Sequence, residues 1–259
     1  MNIGSFIKEI EIAIPLELAE SWDNSGFQIG DRKSELKNIL FCLDVTTEVV
    51  REAKEQDANL IISHHPLIFQ PYDNLDFTNG TKQILAELIK NNLAVYSCHT
   101  NYDIIKGGVN SQFASRFNCR TISCLDGKLV GLGVFMELES SMSLESITQR
   151  LRQIFNTNEL RMTTNDLQKK VKRIAFCGGA GKSLVAQAIK LGAELYISSE
   201  LGHHAALEAK HNGLILLEAD HFATEHFALT GLAKIVKQQV GTSNVKLFIS
   251  EQKALWQHL

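Results

Sequence analysis

A chain of 259 residues with 44% hydrophobic and 21% charged residues has the make-up of a folded globular protein, which excludes disorder, collagen-like structure and low-complexity explanations. The length suits one large or two smaller α/β domains, and a net charge of −3 with scattered Lys and Arg lacks the field that a nucleic-acid partner requires. No apolar run reaches the roughly eighteen residues of a membrane helix, and the start of the chain carries acids where a signal peptide stays apolar, so no membrane partner and a cytoplasmic location are expected.

Short apolar runs read as strands at Asn38–Leu43, Leu60–Ile62, Ala94–Ser97, Arg173–Cys177, Glu194–Ser198 and Leu214–Glu218. Between them, Thr47–Gln56, Thr81–Asn91, Ser183–Leu191, His203–His211 and Thr224–Gln239 carry apolar residues at three-to-four spacing, as core-facing helices do. The alternation occurs before about residue 120 and again after about residue 171, with a strand-like Leu129–Glu139 and a Ser143–Phe155 helix between. It predicts two α/β lobes, each a central mixed sheet flanked by helices, divided at the turn-like Asp126-Gly127 into residues 1–126 and 127–259. The five cysteines form no Cys-x-x-Cys pair, which argues against a disulfide framework or zinc knuckle. Cys42, Cys98 and Cys177 lie in strand-like runs and read as small core residues.

Chemistry gathers where strands stop. Leu60-Ile61-Ile62 ends in Ser63-His64-His65-Pro66, placing two imidazoles at a strand's carboxyl end, where open α/β sheets build their sites. Neighbouring residues of a strand face opposite ways, so two ions side by side accommodate the doublet better than one; a surface pair capping the strand is the other reading. After Ala94–Ser97, Cys98-His99-Thr100-Asn101-Tyr102-Asp103 adds a further His and a carboxylate, although an Asp in such a place also serves as a cap. After Leu214–Glu218, His221 and Glu225 stand one helical turn apart, either as ligands for a divalent ion or as a solvated pair. Three clusters with these His and carboxylate groups leave coordination positions open for water or substrate.

The segments Leu18-Ala19-Glu20-Ser21-Trp22-Asp23-Asn24-Ser25-Gly26-Phe27-Gln28-Ile29-Gly30, Leu43-Asp44-Val45-Thr46, Ile62-Ser63-His64-His65-Pro66-Leu67-Ile68-Phe69, His99-Thr100-Asn101-Tyr102-Asp103, Gly107-Gly108-Val109-Asn110 and His221-Phe222-Ala223-Thr224-Glu225 occur in that order. With them the chain resembles, nearly end to end, the Nif-three-like proteins (NGG-one interacting factor three), also catalogued as GTP cyclohydrolase I type 2 homologues. The resemblance implies a two-lobed α/β fold, a pair of divalent cations in a cleft between the lobes, and a ring-shaped homohexamer. Carried over by motif, His65 and Asp103 belong to one ion, His64 and His221 to the other, and Glu225 bridges them. The ions' identity stays open among Zn, Mn, Fe, Ni and Mg. Glu200 and His204 are carried over as further pocket residues; His99, which starts the Asp103 cluster, is a third, either in the pocket or orienting a ligand. The chain departs from the family where Ser198-Ser199-Glu200 replaces the usual Thr-Gly-Asp, and where Asp220, read as a left-handed turn residue, replaces Gly.

Cys177-Gly178-Gly179-Ala180-Gly181-Lys182-Ser183 suggests a phosphate loop, but Phe176 occupies the position where a P-loop needs Gly, so a tight glycine turn is the better reading. Trp22 and Asn24 either line the metal cleft or pack the entry to the first strand, and packing is the favoured reading. The functional expectation is a metal-dependent hydrolase acting on a nucleotide-like or phosphoester substrate, GTP cyclohydrolase-like by family name. The alternative is a metal-binding or protein-interaction module without turnover.

Overall fold

The computed structural model describes residues 1–78, 80–128, 131–241 and 244–256. The chain forms two compact units, one of Met1–Tyr102 with Leu229–Gln252, the other of Asp103–Ala228 with Lys253–Leu259.

The first unit begins with helix α1 (Ile3–Ala13), which buries Ile3, Phe6, Ile7 and Ile10 at helical spacing. Asn2 caps it by accepting a hydrogen bond from the Ser5 amide at 2.8 Å. Strand β1 (Gly26–Ile29), β2 (Asn38–Cys42), α2 (Thr47–Glu55), β3 (Ala58–Ser63), α3 (Gly80–Lys90), β4 (Ala94–Ser97) and α4 (Thr100–Ile104) follow. β2, β3 and β4 are parallel neighbours, and β1 closes one edge antiparallel to β4. All four residues of β4 are buried and all but Asn59 in β3, so the two strands read as continuous apolar runs without alternation.

The second unit contains α5 (Val109–Ala114), β5 (Cys119–Cys124), β6 (Val134–Ser143), α6 (Leu144–Phe155), β7 (Leu160–Met162), β8 (Lys170–Ala180), α7 (Val185–Lys190), β9 (Leu195–Ser199), α8 (Gly202–His211), β10 (Ile215–Ala219) and α9 (His221–His226). Its sheet runs β5-β6-β8-β9-β10-β7, parallel through β8, β9 and β10 and antiparallel elsewhere. The chain then returns to the first unit with α10 (Leu229–Val240) and β11 (Leu247–Ile249), which adds to β2 in parallel and completes the order β1-β4-β3-β2-β11. Both sheets are mixed and flanked by helices, as the alternation predicts.

The division expected at Asp126-Gly127 falls between β5 and β6, which pair antiparallel in one sheet. The units instead divide within α4, after Tyr102, so Asp103 belongs to the second unit and not to the lobe of the histidine doublet. Residues 229–252 rejoin the first unit because Leu247–Ile249 finds its hydrogen-bonding partner on β2, a long-range pairing that local periodicity does not reveal. Of the strand expected at Leu129–Glu139, Leu129 and Val130 lie outside the described residues and the strand proper begins at Val134. The helix expected at Thr224–Gln239 is two, α9 and α10, interrupted at Phe227 and Ala228. Cys42, Cys98 and Cys177 are free and buried, as read from their surroundings.

In the second unit Phe113 and Phe176 stack with ring centroids 3.7 Å apart and planes within 11°, both wholly buried. Phe113→Ala removes a large side chain from a close-packed place and is expected to cost about 3–5 kcal/mol. Denaturant unfolding of the purified variant against the wild-type chain measures this.

Candidate metal-binding clusters

The first cluster arises from strand register. Cys42, Ser63 and Ser97 stand level across β2, β3 and β4. The next residues of the three segments, Leu43 and Asp44, His64 and His65, and Cys98 and His99, therefore leave the sheet from neighbouring strand ends. Both histidines stay tied to the end of β2 as the chain bends away from β3: the His64 amide donates to the Cys42 carbonyl at 3.0 Å and the His65 amide to that of Leu43 at 2.9 Å. Pro66, with no N–H, ends it.

Each ring is supplied with an oxygen, two of them from these strand ends. His64 Nδ1 lies 2.8 Å from the Cys98 carbonyl, and His65 Nδ1 lies 2.8 Å from Asp44 Oδ1. His99 Nδ1 lies 2.7 Å from Asp23 Oδ1, an acid brought from the segment before β1. A backbone carbonyl or an ionised carboxylate can only accept, so Nδ1 carries the proton in each ring, and in the neutral imidazole Nε2 is the nitrogen left with a lone pair. The three rings group with centroids 5.0–5.5 Å apart. One candidate ligand atom from each of His64, His65 and His99 lies within 4.8 Å of the others, a group able to hold a metal ion.

Asp23 is the most heavily engaged acid of this cluster. Besides His99 it accepts from the hydroxyls of Ser25 and Thr100 and from the Thr100 and Asn24 amides. Burial works to raise its pKa, but the hydrogen bonds from His99 and Thr100 outweigh it and hold the carboxyl well below the usual carboxylate range. Sequence reasoning quoted Asp23 and Asp44 only inside the resembling segments and assigned neither a role. For Asp44 a signal existed, since it follows a strand end as His64 and Asp103 do. Asp23 precedes its strand, and only the folded chain carries it to His99. Trp22, expected to pack at the strand entry, is instead 54% exposed and stands beside His99 and Phe69.

The second unit holds the other predicted ligands. Asp103 and Glu225 are 7% and 4% exposed, and His221 opens α9. His221 Nδ1 meets Glu200 Oε1 at 2.7 Å, while Nε2 lies 3.1 Å from Glu225 Oε2, the i,i+4 neighbour on α9. Glu200, in place of the family's Asp, thus reaches the late histidine from the end of β9, at a left-handed φ of 52°. Such backbone costs a non-glycine residue about 1–2 kcal/mol. Asp220 is not left-handed, as its turn reading expected, but extended at φ −60°; it caps α9 by accepting from the Phe222 amide. Burial pushes the Cys177 thiol up, and the charges of Asp103 and Glu225 add to the effect, which marks both acids as its neighbours. Asn110 joins these pieces, donating to the Asp103 carbonyl at 3.0 Å and accepting from the Gly178 amide at 3.3 Å. His204 lies exposed on the first turn of α8 beside His203.

The glycine-rich segment serves this second group. Gly178 and Gly179 lie inside β8, where its pairing with β9 is irregular between Phe176 and Ala180. A Cβ on Gly179 would stand 2.2 Å from Glu225 Oε1, and the residue's φ is +65°. Lys182 is exposed.

Two consequences are measurable. A carboxyl with a depressed folded pKa contributes stability above its ordinary value, here 3.8, and loses that contribution as pH falls through the lower folded value. Asp23→Asn is therefore expected to lower stability at neutral pH and to flatten the acid limb below about pH 5 in pH-resolved denaturant titrations. Gly179→Ala is expected to cost more than Gly213→Ala, because Gly213 has a similar φ of +73° but nothing within 4 Å of its Cβ position. The shared left-handed penalty of about 1–2 kcal/mol cancels in the comparison, leaving the clash with Glu225 as the difference in melting stability.

The pattern described as Duf34/NIF3 (NGG1p interacting factor 3) matches residues 1–254. A Clostridium perfringens protein named GTP cyclohydrolase 1 type 2 homolog is 33% identical over 97% of each chain. A Drosophila melanogaster NIF3-like protein 1 is 32% identical, covering 96% of this chain and 86% of that one. Among solved structures, a Staphylococcus aureus hypothetical protein superposes with a TM-score of 0.91 at 29% identity, covering 100% of this chain and 99% of that one.

Proposed function

The chain belongs to the Duf34/NIF3 family, and from that premise we propose that it is a divalent-metal protein that hydrolyses a nucleotide-like or phosphoester substrate. On the family's pattern it holds two cations per chain, with His64, His65, Asp103, His221 and Glu225 as ligands. The observation that carries the reading is the trio His64, His65 and His99, each with Nδ1 held by an oxygen and with ligand atoms within 4.8 Å of one another. Chance surface histidines seldom have their tautomers set in this way; metal ligands characteristically do. Soft thiolates are missing from the donor set, which suits borderline and hard divalent ions.

The chain's own residues prepare the site. Asp44, Asp23, Glu200 and the Cys98 carbonyl aim four imidazoles, and Glu225 offers a nearly buried carboxylate held beside His221. Divalent ions held by such groups supply Lewis-acid polarisation of a substrate oxygen and a water nucleophile at neutral pH, so no Ser or Cys nucleophile is needed. Buried thiols such as Cys98 and Cys177, pushed far above the ordinary range by desolvation, are poor nucleophiles in any case. The name GTP cyclohydrolase 1 type 2 homolog, carried by relatives, supports a purine nucleotide as the first substrate to try. A ring-shaped homohexamer belongs to the same proposal, supported by the family resemblance. No helix among the described residues is long and apolar enough to cross a membrane.

Elemental analysis of freshly purified protein is expected to find two divalent ions per chain, with loading reduced in His65→Ala and Glu225→Ala. The loaded wild-type protein should turn over a member of a nucleotide and phosphoester panel at least a hundredfold faster than Glu225→Ala. Metal loading without turnover across the panel favours a metal-binding or protein-interaction module, a reading that the family's description as an interacting factor supports. Wild-type protein without bound metal would refute both.

A further inference from the structure

Beside the first histidine cluster stand two exposed aromatic side chains that the proposed hydrolytic chemistry does not use. Trp22 is 54% and Phe69 45% exposed. Their ring centroids lie 6.2 Å apart, and those of Trp22 and Phe69 lie 6.0 and 6.3 Å from the centroid of His99. Leaving large rings in water forgoes the burial that normally recruits such residues.

Both rings are held in place. Ile68, the residue before Phe69, donates its amide to Gln28 Oε1, and its carbonyl accepts from Asn24 Nδ2. Gln28 in turn donates to the Asn24 and Gly26 carbonyls. Two amide side chains from the segment that follows Trp22 thus fasten the segment that carries Phe69. Asp23, the residue next to Trp22 in that segment, is locked to His99 and Thr100. Exposed aromatics on a fastened backbone, adjoining candidate ligands, have the build of a preorganised recognition wall.

We propose that Trp22 and Phe69 form a stacking wall that binds the planar base of a purine nucleotide next to the histidine cluster. The inference rests on the proposed metal-dependent reading and names its substrate class. The occupant is a small ring system and not a protein, because a pair of rings is far below the roughly 1,000 Å² that a specific protein interface buries. A planar base is favoured over an aliphatic group because the wall offers π faces and edges, to which every base stacks. The neighbouring imidazoles then face the sugar-phosphate portion, where oxygens suited to metal ions are found.

The test uses the full chain with Trp256→Phe, so that Trp22 is its sole tryptophan. Guanosine 5′-monophosphate is titrated against Trp22 fluorescence, with ribose 5-phosphate as the base-free control, before and after metal removal by chelation. Saturable quenching is expected with the nucleotide, at least tenfold weaker binding in Phe69→Ala, near-wild-type binding in Phe69→Tyr, and much weaker binding of ribose 5-phosphate. Phe69 is half exposed, so its truncation leaves the core intact. Equal affinity for the two ligands, indifference to Phe69→Ala, or no nucleotide binding by metal-loaded protein would each overturn the wall. Metal content measured on the same samples keeps the two ideas apart: loaded protein without base-dependent quenching sinks the wall alone, and base-dependent quenching by protein that never binds metal sinks the hydrolase reading alone.

Discussion

An imidazole is a defined ligand only when something settles which of its nitrogens carries the proton, and that hydrogen bond organises the site throughout this protein. In the first unit the acceptors come from neighbouring parallel strands. Because β2, β3 and β4 run in the same direction and end level at Cys42, Ser63 and Ser97, the segments that follow leave the sheet from neighbouring points. His64 therefore meets the Cys98 carbonyl and His65 meets Asp44. An antiparallel arrangement would have sent neighbouring carboxyl ends to opposite ends of the sheet. The general tendency of α/β sheets to place sites beyond their strands' carboxyl ends is here a consequence of register.

The second unit solves the same problem by helix geometry and close approach. His221 and Glu225 are neighbours because they are four residues apart on α9, and Glu200 reaches His221 from the end of β9 at the expense of a left-handed backbone. Glycines in β8 let the strand pass against Glu225, where a single methyl group would collide with the carboxylate. A segment that looks like a truncated phosphate loop is thus explained by packing against an acid. Strain at Glu200 and the missing side chain at Gly179 lie beside the same His221–Glu225 pair, the kind of place where a fold gives up local stability to position particular side chains.

Much of this was legible beforehand. Apolar runs and amphipathic stretches located the central parallel strands and most helices to within a few residues, because buried parallel strands and core-facing helices carry strong periodic signals. β1, β5, β7 and β11 were not anticipated; they lie at sheet edges, and all but the six-residue β5 are only three or four residues long and carry little pattern. The single helix expected at Thr224–Gln239 is broken at Phe227 and Ala228, an interruption that a continuous apolar stripe conceals. The boundary at Asp126-Gly127 rested on turn chemistry, which marks hairpins as readily as domain ends, and this turn joins two paired strands.

The amino-acid sequence by itself determined the donor chemistry: histidines and acids at strand ends and on one helical turn, since residue type and local spacing are properties of the chain alone. Tertiary structure decided which acceptor holds which ring, that Asp23 reaches His99 across 76 positions, that Asp103 falls in the second unit, and that Trp22 stands in solvent. Those outcomes depend on sheet register and long-range pairing, which arise when distant segments compete for the same hydrogen bonds and core volume, and no local window of residues contains that competition.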